Sequence, residues 1–429
     1  MFGFANFLLL ALFAAAVFDL IFALARGGGL RGALHGLWNT PHLLFGQQLA
    51  EWRLQLGRIL FAAGLAAYEI SVVFCNSMAR QNWAWVQGVM SPVLEWLAFL
   101  CFGAKILFGT RYTWRELLAG GALYFIARWV YFNSQNIWWI GIVVAVLAAK
   151  DIPLCRPLQV YFASGCAAMA VVLALHFAGI VAPDLTSERM GALRGTYGYG
   201  HPNTFGGLVF GLVLAYALLR AQKVRWVDCL LVFAVGVFLL VGPASRSAAL
   251  CTLALAVGLV FCRLRAGHSV PRWWPGTCAG MVGLTAAVSY LLPLLVIKVG
   301  PWNNDIGPAW LAKLDSLLTC RISLTWMAYR LLDVKIAGQV FNWPTVDNSF
   351  AFALFQFGPV VAALLGILFA AALWGHAKQG RQVEVCCLFA MLAYAYMEVQ
   401  PFHLTTNPTA LLLCGAVFAQ ASARWQKIE

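Results

Sequence analysis

The chain has 429 residues, 62% of them hydrophobic and 10% charged, with a formal net charge of +13. Globular domains carry roughly 25% charged residues, so a soluble protein of this composition could not cover its surface with polar atoms. The basic residues punctuate apolar runs instead of forming one stripe, which excludes a nucleic-acid partner.

In chain order the apolar runs predict helical spans at 4–25, 58–79, 87–108, 116–132, 136–150, 157–180, 203–220, 226–243, 246–262, 277–297, 349–374, 382–399 and 408–424. A helix needs about 20 apolar residues to cross the hydrocarbon, and the ten-residue alternation of a closed barrel is missing. The pair at 116–150 is ambiguous: two spans, or one merged or shifted. The first run has no basic n-region and no cleavage site before a soluble domain, so it reads as a span and not a secretion signal. The expectation is an all-α polytopic membrane protein with about 12–13 transmembrane helices and a single transmembrane domain over 1–429. Twelve cysteines, including Cys101, Cys166, Cys251, Cys262, Cys414 and the adjacent Cys386 and Cys387, show neither metal-ligand nor disulfide spacing. They read as small hydrophobes in helix packing.

The ends of the spans alternate in chemistry. One side collects Arg26, Arg31, Arg53, Arg58, Lys105, Arg111, Arg115, Lys150, Arg156, Arg220, Lys223 and Arg225. Arg263, Arg265, Arg272, Lys378, Arg381, Arg424 and Lys427 bring it to 19 of the 29 basic residues. The positive-inside bias puts that side, and the C-terminus, in the cytoplasm, and an odd span count puts the N-terminus outside. Two segments then face outward: a smaller extracytoplasmic loop at 181–202 and a large one at 298–348. The large loop carries five Lys and Arg against the bias. They are either solvated loop charge or a sign of an anionic ligand. No Walker loop and no zinc spacing such as H-E-x-x-H occurs, so neither ATP-driven transport nor a metal site is expected. Internal halves with matching broken helices are not evident.

Five patches share the outward side. In Arg194-Gly-Thr-Tyr-Gly-Tyr-Gly-His201-Pro202-Asn203 the glycines permit a close backbone approach, and Pro202 suits the start of a helix. Gly242-Pro-Ala-Ser-Arg246-Ser puts an arginine in a very short turn at the membrane edge. In Leu314-Asp-Ser-Leu-Leu-Thr-Cys-Arg321-Ile, Arg321 stands where a loop helix should begin. Asp347-Asn348-Ser349 precedes a long apolar span, and Asp347 or Asn348 could cap it. Glu398 lies at the membrane edge near His403, ahead of Asn407-Pro408. Plain alternatives exist for each: a glycine turn, a snorkelling anchor, an amphipathic loop helix, a cap, an exposed carboxylate. Taken together, arginines, histidines and two carboxylates from distant parts of the chain face one compartment. The planar fork of arginine matches phosphate oxygens, so Arg194, Arg246 and Arg321 could hold a diphosphate without a metal.

The order of these motifs resembles the bacterial polysaccharide polymerases of the Wzy type, those of capsule biosynthesis above all, and more distantly the O-antigen ligases of the same superfamily. The resemblance covers roughly residues 185–410. Thr319-Cys320 departs from it, because a Ser-Gly-like turn is expected there. The resemblance implies a GT-C-like bundle in the bacterial cytoplasmic membrane and a metal-independent, inverting glycosyltransferase that uses no cofactor. Its substrates would be undecaprenyl-diphosphate-linked glycans, with a flippase and a chain-length regulator as candidate partner proteins. The arginines would bind the diphosphate, and His201, Asp347 and Glu398 compete for the role of general base, with Glu398 preferred. Asn203, Asn348 and His403 would position substrate. Trp302, Trp310 and Trp343 could stack on sugars, although interface anchoring explains them as well. The alternatives weighed are an O-antigen-type ligase, a lipid-linked oligosaccharide flippase or other transporter, and a scaffold. A flippase path needs charged groups through the bundle, where only Glu69, Glu95 and Arg128 stand out.

Overall fold

The computed structural model describes residues 2–25, 30–44, 50–181, 187–189, 192–296 and 307–418. The expected end of the last span, Trp302, Arg26, Arg424, Lys427 and parts of both outward loops lie outside the described residues. The described residues are 77% helical. Among the described residues eight helices are long and apolar enough to cross a membrane. They are Asn6–Ala25, Glu51–Cys75, Val86–Phe108, Cys155–Phe177, Pro202–Leu219, Arg246–Leu264, Trp274–Leu295 and Pro359–Lys378. Four shorter apolar helices join them: Ile137–Ala148, Trp226–Val241, Gln382–Met397 and Pro408–Val417. Large apolar side chains point outward along these helices. Leu10, Phe13, Val227, Val257 and Ile367 are all more than three-fifths exposed. Such surfaces are costly in water and suited to lipid, so the protein is an all-α, multi-pass, membrane-embedded chain.

The chain divides into two compact units. The first comprises Met1–Arg128, Ile140–Leu208 and Ala410–Glu429. Its helices are α1 (Phe2–Ala25), α2 (Leu30–Asn39), α3 (Ala50–Cys75), α4 (Ala79–Asn82) and α5 (Ser91–Phe108). They continue with most of α6 (Trp114–Ser134) and α7 (Ile137–Ala148), α8 (Cys155–Phe177) and the start of α9 (Pro202–Leu219). α3 packs on α5 and α8, with the rings of Phe61 and Phe102 5.6 Å apart. Two short antiparallel pairs complete the unit. β1 (His42–Leu43) joins β2 (Arg111–Tyr112), and β3 (Ser187–Arg189) joins β4 (Ala192–Arg194).

The second unit comprises Trp129–Trp139 and Val209–Thr409. Here lie α10 (Trp226–Val241), α11 (Arg246–Leu264), α12 (Trp274–Leu291), α13 (Ala309–Leu317) and α14 (Arg321–Leu331). α15 (Ser349–Phe352), α16 (Pro359–Lys378) and α17 (Gln382–Met397) follow. α10 packs on α11, α11 on α17, and α12 on α16.

Two expectations change and one ambiguity is resolved. The span expected at 349–374 is broken: α15 runs into a π-helical turn, Ala353–Phe357, and α16 starts only at Pro359. The break follows from Gly358, whose φ of 87° is open to glycine and costly to other residues. A Cβ there would come within 2.1 Å of the Ile336 carbonyl oxygen, and one on Gly338 within 2.0 Å of that of Gln356. Two backbones cross at these glycines, pinning the end of the large loop against the segment before α16. The ambiguous stretch 116–150 resolves into α6 and α7, separated at Gln135 with its φ of 55°. Finally α2 is a helix where none was expected, α13 adds another in the large loop, and α14 starts at Arg321, where the loop helix was expected.

Candidate functional site

The second unit holds most of the marked residues, and two of them, Glu398 and Asp347, meet at Arg321. α14 begins at Arg321 because the preceding helix caps it. Asp315 of α13, fully buried, accepts the backbone N–H groups of Ile322 (2.7 Å) and Ser323 (3.1 Å) and the Ser323 hydroxyl (2.8 Å). These are donors that the first turn of a helix leaves unpaired. Between α13 and α14 the chain turns through Thr319 (φ 58°) and Cys320 (φ 65°). This is left-handed backbone at non-glycine residues. The turn has the geometry that a Ser-Gly pair would suit, executed with costlier side chains.

Arg321 is 7% exposed, and each of its N–H groups meets a protein acceptor. Nε donates to the Met397 carbonyl. Nη1 donates to the Leu318 carbonyl (2.9 Å) and to the Thr319 hydroxyl. Nη2 donates to the Ser247 hydroxyl (3.4 Å) and to Glu398 Oε1 (2.6 Å). Glu398 follows the last residue of α17 in extended backbone and is 5% exposed. Its carboxylate also takes a hydrogen bond from Ser247. Its carbonyl accepts the Ser349 hydroxyl at 2.6 Å, so the residue is gripped at both ends. Asp347 Oδ2 lies 4.0 Å from Arg321 Nε and is 31% exposed.

One guanidinium therefore serves two carboxylates, leaving one negative charge in excess. Burial pushes the Glu398 carboxyl above the usual carboxylate range; the Arg321 charge pulls it back, and the nearby Asp347 charge adds to the rise. A carboxylate in this state accepts a proton more readily than a solvated one. Repulsion from the same charge disfavours an anion beside Arg321.

The remaining residues of this unit divide by accessibility. Asn348, not Asp347, caps α15: its Oδ1 accepts from Phe350 N (2.9 Å) and Ala351 N (3.1 Å), while its Nδ2 donates to the Ser289 hydroxyl (3.1 Å). Both ends of that amide are thus committed to the fold. Arg246 is the first residue of α11, exposed, one position before Ser247. His403 packs on Trp138 with ring centroids 3.7 Å apart and planes tilted by 39°. Burial of the ring holds its imidazole below the ordinary histidine range. Trp310 and Trp343 are exposed. An apolar groove of about 540 Å³ runs between α12 and α16. It is lined by Gly280, Gly283, Ala286, Ala363 and Gly366 and reaches Tyr290 and Phe350, neighbours of Ser289 and Ser349.

Arg194, His201 and Asn203 form a set of their own in the first unit. Arg194, 6% exposed, donates from Nη2 to Asn203 Oδ1 at 2.9 Å. Asn203 N–H donates to His201 Nδ1 at 3.1 Å, so the imidazole closes the N-terminus of α9. A neutral ring accepting at Nδ1 carries its proton on Nε2. That atom offers a donor, which weakens His201 as a base. Gly198 (φ 82°) is required here, since a Cβ would stand 3.0 Å from that of His176. Its carbonyl accepts from Met78 N at 2.8 Å, fastening the glycine turn to the end of α3.

Asp315, Ser247, Ser349 and Ser289 were not singled out, although the first three stand inside the quoted motifs. An aspartate six residues before an arginine that opens a helix was the available signal for Asp315. Ser289 lies in a featureless apolar run and left none. No family model, curated protein or solved structure matches the chain.

Proposed function

We propose that the protein polymerises undecaprenyl-diphosphate-linked oligosaccharide repeat units into a surface polysaccharide, by metal-independent inverting glycosyl transfer on the outer face of the bacterial cytoplasmic membrane. In this reading the helices form a GT-C-like bundle of 12–13 spans. The observation that carries it is Glu398: a buried residue whose carboxylate is held by Arg321 and Ser247 and whose backbone carbonyl is held by Ser349, beside a partly exposed Asp347. Such a group suits deprotonation of an acceptor hydroxyl as that hydroxyl attacks the anomeric carbon. Negative charge grows on the departing lipid diphosphate, and preorganised cations aimed at it favour the transition state over the ground state.

The proposed roles shift with the geometry. Glu398 is the base, Asp347 faces the acceptor, and Arg321 positions Glu398 instead of binding diphosphate. Arg246, exposed at the start of α11, is the proposed diphosphate ligand in this unit; Arg194 keeps that proposed role in the other. His201 and Asn203 are proposed to contact sugar. The groove between α12 and α16 supports a substrate with a prenyl tail. Asn348 is assigned to helix capping.

The test is a reconstitution of purified protein with lipid-linked repeat units in EDTA, read as sugar ladders on a gel. A ladder is expected, and Arg246→Ala should abolish it while the protein remains in the membrane. Near-normal extension by that variant rejects the arginine assignment. Glu398→Gln with wild-type turnover across a broad pH range rejects the base.

A further inference from the structure

Cys262 lies in the last turn of α11 and Cys386 in the second turn of α17. They are 124 residues apart in sequence, yet their Sγ atoms stand 3.5 Å apart. The approach is built into the helix pair. Gly258, one turn before Cys262, faces the same partner, and a Cβ on it would lie 3.0 Å from Cys386 Sγ and 3.3 Å from its Cβ. Without side-chain bulk at Gly258, α17 seats its cysteine against α11. A disulfide needs sulfurs about 2.05 Å apart, so roughly 1.5 Å of sulfur movement separates the thiol pair from the bond.

We infer that Cys262 and Cys386 are a redox-active dithiol, converted to a disulfide by a small-molecule disulfide oxidant. One thiol loses its proton and attacks a sulfur of the oxidant, releasing the first oxidant thiolate and leaving a mixed disulfide on the protein. The second thiol loses its proton and attacks that protein sulfur. The Cys262–Cys386 bond forms, and the second oxidant thiolate leaves. Two electrons pass from the protein sulfurs to the oxidant, and its two thiolates take up the two protons. The topology proposed above puts these helix ends in the reducing cytoplasm. A dithiol there rests reduced and closes only under oxidation, as regulatory pairs do.

The pair couples by position to the candidate site, and this coupling rests on the polymerase reading. α11 begins at Arg246 and Ser247, and α17 ends at Met397, next to Glu398. At 1.5 Å per residue these ends lie about 24 Å along α11 and about 17 Å along α17 from the cysteines. Ser247 bonds the Glu398 carboxylate, so the two helices that a disulfide would tie are the two that meet at the base. Fixing their cytoplasmic ends restricts any sliding of α17 on α11 that substrate entry requires.

The experiment treats the full chain in lipid nanodiscs with glutathione disulfide, then N-ethylmaleimide, and maps peptides by mass spectrometry. The expected result is a peptide pair joined through Cys262 and Cys386, with two fewer alkylated thiols among the twelve cysteines. Cys262→Ser and Cys386→Ser should each remove it. Recovery of both cysteines alkylated, or a cross-link through Cys387 or Cys278 instead, overturns the inference. In the ladder assay, oxidation should slow wild-type extension, dithiothreitol should restore it, and Cys262→Ser should be indifferent. Extension unchanged by a mapped disulfide overturns the coupling alone. A missing ladder in every form rejects the polymerase reading and leaves the disulfide map to stand by itself.

Discussion

Two buried ionic clusters of this protein are built on opposite plans. In the first unit Lys105, Lys150, Glu116 and Asp151 form a closed set. Lys105 Nζ donates to Thr110 Oγ1 (2.8 Å) and to the Lys150 carbonyl. Lys150 Nζ donates to the Arg111 carbonyl (2.6 Å) and lies 3.3 Å from Glu116 and 3.5 Å from Asp151. The rings of Tyr112 and Phe418 flank it at 5.4 and 5.6 Å. Lys150 pairs with both anions, Lys105 brings a second ammonium against its carbonyl, and none of the four side chains is more than 12% exposed. In the second unit one cation meets two anions, and Asp347 is left half-open. A charge-balanced, sealed cluster holds segments together. A cluster with charge to spare and an open edge is equipped to exchange a proton. Both cost desolvation, and only the second keeps an unspent capacity for chemistry.

Variants can break this contrast. The largest effect belongs to the sealed cluster: Lys150→Ala leaves two buried carboxylates without their cation and should cost about 3–5 kcal/mol. Thermal unfolding in detergent checks it, and a loss of activity without a loss of stability would erase the distinction. Glu398→Gln keeps the shape and removes the proposed base, so turnover should fall roughly 10²–10⁴-fold while the melting temperature changes little. Asp315→Ala, which uncaps α14 while sparing every charge partner of Arg321, should cost about 1–3 kcal/mol by the same unfolding measurement.

The pH profile sharpens the comparison further. In the proposed role Glu398 must be ionised to act, and its carboxyl is raised by burial. The acidic limb of kcat/KM should therefore lie above the ordinary carboxylate range, with activity falling as pH drops through it. Asp347→Asn removes a like charge, so that limb should move to lower pH; a limb that stays put would separate Asp347 from Glu398. The smallest effect is expected at Cys320→Gly, which relieves a left-handed φ and should raise stability by about 1 kcal/mol.

Hydropathy was enough to place the apolar spans and most of their ends, because lipid demands about 20 apolar residues per crossing however the helices pack, but it left α2 and α13, both shorter than a crossing, unread. It failed at 349–374 because apolarity does not register a backbone crossing. Gly338 and Gly358 are needed only where two strands of chain meet, and those strands are twenty residues apart. Arg321, Asp347 and Glu398 could be marked from sequence as charged residues in an apolar chain. Their division of labour could not. The number of acceptors around Arg321 depends on Ser247, Leu318 and Met397 converging, two of them through backbone carbonyls that carry no sequence signal.

The cysteines show the same limit. Read by spacing, Cys386 and Cys387 carry no meaning, and only the seating of α17 over Gly258 selects Cys386 as the partner of Cys262. Composition and charge placement by themselves determined that this chain lives in a membrane as a helical bundle, since those are properties each segment has alone. The tertiary structure decided which arginine is spent on the protein, which carboxylate carries the surplus charge and which thiols meet. Those are properties of side chains brought together from distant segments, where a shift of 1 Å makes or breaks a hydrogen bond.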